Sequence, residues 1–409
     1  MSLSLEAIKF NHDPSGASAD ALNIRRNATE TVPVPEWRAG VSVNPEDSPA
    51  AYSIEDTRGH TLTIQANFRL TDPAVSTLEI RAVDPVVDPP GPPGCSGWIW
   101  KLVRALIRAI SGNVLGEVKA RHVIFGGNGV SGFQTFELQN ARLWEVGVGA
   151  RTTTWTWQYR AGRGAWTDFA TTTHRIYSVL NVPPAPWSQQ PYVNLNTSLP
   201  WTEVLDHACA WASLTRDADG AAAAITRRVY GLGPSVITYD CQGGGSTHYA
   251  LGGFNCSAFL ERLHGGPGLG EFVNCTDCAT ILGTFANAVG CDLWQSRMGN
   301  SFELNPMLGI GSTLWEPCCL SSGFGWSGSF SYHEVAWKGA CGVDDAVFDA
   351  CLKVDGDPDP TAAPHSPLLP VDLRFGNPGE GTYRDRLATP TGRANCNPLP
   401  ATQQRRAVY

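Results

Sequence analysis

Residues 274–290, NCTDCATILGTFANAVG, read as one helix. Cys275, Cys278, Ala279, Leu282, Phe285, Ala286 and Val289 recur at i, i+3, i+4 and i+7, the spacing of a single apolar face. Asn274 suits the N-cap, Asp277 the first turn and Gly290 the C-terminal stop. Cys275 then opens the helix, where free N–H groups and the helix dipole favour a thiolate. A nucleophilic cysteine is expected at such a place. Cys278, one turn deeper on the same stripe, reads as packing.

A cysteine nucleophile needs a histidine to take its proton and a third group to orient that histidine. Downstream, residues 330–338, FSYHEVAWK, alternate as a strand that puts His333 on one face with Val335 and Trp337. The next strand, residues 346–354, follows the turn GACGV. A hairpin centred on Cys341 would set His333 opposite Asp349, carboxylate beside imidazole. A slip of one residue would turn Asp349 to the other face.

A helix opening Cys-x-Asp-x-Ala (Cys275, Asp277, Ala279), then His333 in HEVAW, then Asp349 in VFDACL, resembles the transglutaminase-like superfamily of Cys-His-Asp enzymes. The order and spacing agree, and the resemblance covers about residues 200–358. It implies a papain-like domain of helices packed on an antiparallel sheet, with a catalytic triad of Cys275, His333 and Asp349 and no cofactor. It also implies that Cys275 attacks a carboxamide or peptide carbonyl to form a thioester. His333 would protonate the leaving amine, and Asp349 would hold the histidine tautomer. Acyl transfer, deamidation or proteolysis would follow, on a protein or peptide substrate. The sequence departs from the family where Trp337 stands four residues after the histidine, and where Ala350-Cys351 replaces Pro-Thr. The alternative is an inactive binding or assembly protein that keeps this fold.

Working outward, the fold class reads as α+β. Residues 1–35 are polar and unpatterned, an N-terminal arm. From 36 to 190 the pattern has period two, clearest in Leu62–Leu70, and repeats at Leu78–Val83, Val118–Ile124, Phe133–Leu138, Thr152–Tyr159 and His174–Leu180. Short strands at such intervals point to an antiparallel β-sandwich. An amphipathic helical insertion is expected near 96–112. Its segment 98–110 carries Lys101, Arg104 and Arg108 on one side, a face for packing, a partner or a membrane surface. Residues 191–201 form a Pro-rich linker. The catalytic domain would span 202–358: a helix capped by Thr202, a break at Asp219-Gly220, a second helix through AAAAITRRVYGLG, and a third over Ser257–Leu263. Residues 359–409 form a Pro-rich extension that ends in a loose tail.

The chain has 409 residues, 42% hydrophobic and 17% charged, which suits a globular protein with more than one core. A net charge of −8 argues against a nucleic-acid surface. No uncharged run is long enough for a transmembrane segment. Only Cys95 and Cys396 of twelve cysteines lie outside residues 209–351. Without a secretory pattern at the N-terminus, reduced thiols and a cytoplasmic location are the default, with export by a non-classical route as the alternative.

Other chemistries fit less well. Cys275, Cys278, Cys318 and Cys319 could make a four-thiolate zinc site, but adjacent cysteines rarely share one ion. The nucleobase-deaminase pattern fails because Asn274 replaces its proline. His333-Glu334 is no zincin helix, since Trp337 stands where the second histidine belongs. Asp355, Asp357 and Asp359 alternate like a calcium loop, but prolines interrupt them. His207 and His264 read as structural. His248 lies in a Gly-rich loop that could line the cleft.

Overall fold

A computed structural model describes residues 2–12, 20–42, 44–72, 75–85, 113–187, 199–240, 245–315 and 328–409. The insertion near 96–112, with its basic face at 98–110, lies outside them, as do Cys318, Cys319 and most of the Pro-rich linker. The chain divides into two compact units: Met1–Arg25 with Glu30–Val182, and Arg26–Thr29 with Pro183–Tyr409. Together they make a mixed α+β protein.

Among its described residues, the first unit is built on one sheet of nine strands. They are β1 (Leu3–Lys9), β2 (Trp37–Arg38), β3 (Ala50–Ser53), β4 (Thr63–Leu70), β5 (Thr77–Val83), β6 (Glu117–Ile124), β7 (Val130–Gln139), β8 (Gly149–Arg160) and β9 (Thr167–Val179), in the order β2-β1-β4-β7-β6-β5-β8-β9-β3. The period-two reading is literal in β4: Ile64, Ala66, Phe68 and Leu70 are buried and their neighbours are not. The strands assigned to a sandwich are thus hydrogen-bonded into a single sheet, and that sheet curls. Phe10, just past β1, stacks at 6.0 Å on Trp155 of β8 and meets His174 of β9 edge-on at 4.8 Å, although those strands lie far along the order. Phe68, Phe136, Trp155 and Trp157 fill the interior, with the Trp155 indole N–H on Gly116 O (2.8 Å) and that of Trp157 on Thr172 Oγ1 (3.1 Å). The expected arm needs correction. Leu3, Leu5, Ala7 and Ile8 are buried, and β1 sits between β2 and β4.

Among the described residues of the second unit, four helices precede the sheet: α1 (Thr202–Trp211), α2 (Ala218–Tyr230), α3 (Cys256–Leu263) and α4 (Cys275–Ala288). Thr202 is the first residue of α1, not its cap, because Trp201 takes the extended cap position. Asp219-Gly220 does not break a helix either. Asp217 accepts the Gly220 N–H at 2.7 Å and starts α2 there, so both residues fall in its first turn. Against these helices lies an antiparallel sheet of β10 (Trp294–Met298), β11 (His333–Trp337), β12 (Ala346–Phe348), β13 (Leu373–Arg374) and β14 (Pro398–Gln404), in the order β13-β12-β11-β10-β14. The tail expected to be loose is therefore edge strand β14, paired to β10.

Helix α4 is the centre of this unit. It packs on α1, α2, β10 and β11, and all fourteen of its residues are buried. The apolar stripe predicted from the sequence is only part of its surface, since a helix enclosed on every side has no solvent face. Two of its polar residues find partners locally: Thr280 Oγ1 donates to Thr276 O (2.7 Å), and Asn287 exchanges hydrogen bonds with Leu293 N–H (2.7 Å) and C=O (2.9 Å). Gly283 leaves room for Gln295, whose side-chain nitrogen would stand 3.1 Å from an added Cβ. Gly290, at φ +87, ends the helix in the left-handed region that favours glycine.

Candidate active site

The start of α4 is fixed by a reciprocal pair of hydrogen bonds. Asn274 Oδ1 accepts the Asp277 N–H (3.0 Å) and Asp277 Oδ2 accepts the Asn274 N–H (3.1 Å), a capping box. Asp277 does more than complement a dipole. Its carboxylate also accepts the backbone N–H groups of His248 (2.9 Å), Tyr249 (2.8 Å) and Ala250 (2.8 Å), so one buried side chain ties that loop to the helix mouth. Burial raises its pKa against the lowering effect of those four donors. Asn274 Nδ2 adds bonds to Gly245 O (2.7 Å) and Thr247 Oγ1 (2.9 Å). Cys275 is thereby held at the first helical position, 5% exposed.

His333 opens β11, and its register with β12 differs from the expected one. Ala336 pairs with Phe348 and Trp337 with Val347, so the hairpin is centred on Gly342 and is shifted by two residues. A shift of two keeps the parity of faces. Extending the register sets Asp349 beside Val335, on the face His333 shares, and the two side chains meet diagonally. His333 Nε2 lies 2.9 Å from Asp349 Oδ2, with both residues almost wholly buried. Asp349 Oδ2 also accepts the Tyr383 hydroxyl (2.7 Å), and its Oδ1 accepts the Cys351 N–H (2.8 Å). Phe330 stacks on the imidazole at 5.2 Å and 14°.

Burial works against a charged imidazole here, but the charge and hydrogen bond of Asp349 outweigh it, and Cys275 adds to them. The pKa of His333 is pushed up to about 10. Cys275 is close enough to act on the ring, yet Nδ1 has no hydrogen-bond partner of ordinary geometry among the described residues. Thiol and imidazole are neighbours without being bonded. With Nε2 on Asp349, Nδ1 is the nitrogen left for the thiol.

The remaining candidates lie apart from this chemistry. Cys278 is fully buried against Cys351. The Cys351 hydrogen bond lowers its pKa, but burial together with the nearby charges of Asp277 and Asp349 raises it, which leaves a protonated thiol packed beneath Cys275. His248 turns its ring to Asp240 (3.1 Å). His207 and His264 stand Nε2 to Nε2 at 3.3 Å, and His207 also meets Trp211 and Phe285. Asp355 accepts the N–H groups of Asp357 (3.0 Å) and Ser366 (2.9 Å) and contacts the His365 ring (2.7 Å), a turn network. Among the described residues no group of three or more His, Cys, Asp or Glu side chains is arranged to hold a metal ion.

Beside His333, Glu334 is fully buried. It pairs with Arg406 through two nitrogens (2.6 and 3.1 Å), meets Arg297 at 3.4 Å and accepts the Thr276 hydroxyl at 2.9 Å. Sequence reasoning gave no role to Arg406 or Tyr383, weighed Glu334 only as part of a zincin pair, and missed the anchoring role of Asp277. Only Asp277 left a signal, the N-x-x-D pattern of a capping box.

The chain matches no protein-family model and no curated protein. Among solved structures, it is similar to the crystal structure of red sea bream transglutaminase, at 12% identity and a TM-score of 0.36. The match covers 77% of this chain and 51% of that one. At that score the likeness carries no argument, and the site stands on its own geometry. Among the described residues no helix is long and apolar enough to cross a membrane.

Proposed function

We propose that the second unit is a transglutaminase-like cysteine enzyme that works through a thioester on Cys275. The observation that carries this reading is the buried His333–Asp349 pair (2.9 Å) with Cys275 at the adjoining mouth of a capped helix. In this mechanism the thiol proton already rests on His333 Nδ1, so that sulfur and ring form a thiolate–imidazolium pair before substrate arrives. The sulfur then attacks a carboxamide or peptide carbonyl, and an S–C bond forms. The carbonyl oxygen takes the developing charge toward the Cys275 N–H at the helix start. The C–N bond breaks as His333 returns the proton to the leaving amine. An acceptor then attacks the thioester carbonyl and gives its proton to His333 as the S–C bond breaks and the Cys275 thiolate returns. An amine gives a crosslink, and water gives deamidation or proteolysis. Asp349 stabilises the imidazolium and holds its tautomer throughout.

One observation favours the rival reading, an inert unit that serves binding or assembly: the thiol is 5% exposed and His333 is not exposed at all. Iodoacetamide labelling near neutral pH separates the two. Fast, selective modification of Cys275 that is lost in His333→Ala is the expected result. A Cys275 that reacts no faster than an unfolded control peptide sinks the enzyme. A glutamine donor offered with an amine then identifies the acceptor, by ammonia release, crosslinks or cleavage.

A further inference from the structure

Tyr383 lies beyond residues 200–358, the span to which the family resemblance extends, yet its hydroxyl reaches Asp349 Oδ2 at 2.7 Å. That oxygen is the one that meets His333 Nε2. Tyr383 opens the short helix α5 (Tyr383–Leu387), which is firmly placed. The Thr382 hydroxyl and the Arg384 N–H both donate to Phe375 O (2.7 and 3.1 Å). Asp385 accepts the N–H groups of Gly379 (2.9 Å) and Gly381 (2.7 Å) and pairs with Arg393 at 2.9 Å. The phenol is completely buried. Burial and the charge of Asp349 raise its pKa, so the hydroxyl keeps its proton and acts as the donor.

Each oxygen of Asp349 is therefore fixed by a donor besides the histidine: Oδ1 by Cys351 N–H, Oδ2 by Tyr383. We propose that Tyr383 is a positioning residue of the Cys275–His333–Asp349 centre, pinning the Asp349 carboxylate so that one oxygen stays aligned with His333 Nε2. The proposal rests on the reading of that centre given above. Without the hydroxyl, Oδ2 is held by the imidazole alone, and the carboxylate can pivot about its remaining bond to Cys351 N–H. The imidazolium then loses a fixed counter-charge, and the thiolate it supports forms at higher pH.

The test is Tyr383→Phe in the full chain, which keeps the ring and removes the donor. The midpoint of the pH profile for Cys275 carboxymethylation is expected to rise by about one unit, so that labelling at pH 6 slows roughly tenfold. The downfield ring N–H proton of His333, seen by NMR, is expected to broaden or shift. 4-Aminophenylalanine at 383 keeps the ring and a weaker donor. Its midpoint is expected between the other two, and it stands in should the Phe variant fail to fold. An unchanged or lowered midpoint overturns the proposal. If Cys275 proves unreactive even in the unaltered protein, the enzyme reading fails alone. The NMR signal then decides, and a proton unmoved by the substitution overturns the positioning role.

Discussion

Two histidines, one in each unit, are buried to the same degree and end in opposite states. His174, in β9, contacts Thr172 Oγ1 at 2.8 Å and is enclosed by Phe10 and Trp155. Burial alone acts on it and drives its pKa down to about 3, so it is neutral at any physiological pH. His333 suffers the same burial, but Asp349 at 2.9 Å, with Cys275 adding to it, reverses the outcome and lifts it to about 10. Enclosure sets the default, and charged neighbours, the Asp349 carboxylate above all, overrule it. A buried histidine is thus a packing group or a reactive one according to its partner.

The largest effect is expected from removing that partner. Asp349→Asn should bring His333 toward the condition of His174, and Cys275 labelling at pH 7 is expected to fall about 10³-fold. The stability profile changes with it. A raised histidine contributes stability that is complete below its unfolded pKa of about 6.5 and fades as pH climbs toward 10. Urea melts between pH 6 and 10 are expected to show this slope in the unaltered protein and not in Asp349→Asn. Equal slopes would mean that the pair is not charged.

Arg406→Ala tests the neighbouring carboxylate. It strands Glu334, fully buried, with Arg297 at 3.4 Å as its remaining cation, and a loss of about 3–5 kcal/mol is expected by denaturant titration. A loss under about 1 kcal/mol would show that the pair is dispensable.

Glu36 extends the contrast to a carboxylate without a cation bonded to it. Burial raises it to about 7, against the N–H groups of Phe10 and Asn11, each at 2.9 Å, and a weaker pull from Lys9. Below pH about 4.5 it is protonated in folded and unfolded chains alike. Between 4.5 and 7 only the unfolded chain ionises, so stability falls across that window by about 3 kcal/mol and is level above it. Glu36→Gln is expected to abolish this part of the pH dependence, and a slope that persists counts against the assignment.

Smallest is Thr172→Val, which removes a hydrogen-bond partner from both His174 and Trp157. A cost of about 2 kcal/mol is expected, with the imidazole still neutral by NMR titration. A titration near 6.5 would break the comparison outright.

The sequence carried the helix, its caps and the pairing of His333 with Asp349, because periodicity and capping are local. It erred where neighbours far along the chain decide. The alternation in Leu3, Leu5 and Ala7 was present but short, and only β4 makes β1 an inner strand. Pro398–Gln404 contains two prolines and little apolar pattern, which suits an edge strand and resembles a tail. The hairpin register slipped by two because the turn is longer than its residues imply. The shared face survived because two is the period of a strand. Tyr383 and Arg406 had no local signal, since each is defined by a partner at least 34 residues away.

The enclosure of α4 has a consequence for motion. A helix walled in by two other helices and two strands cannot slide or tilt without opening the unit around it. Its amide protons are then expected to exchange with deuterium only in molecules that unfold the second unit as a whole, more slowly than those of the other described helices. The sulfur at its first residue is a stationary anvil. Whatever meets it must do the travelling.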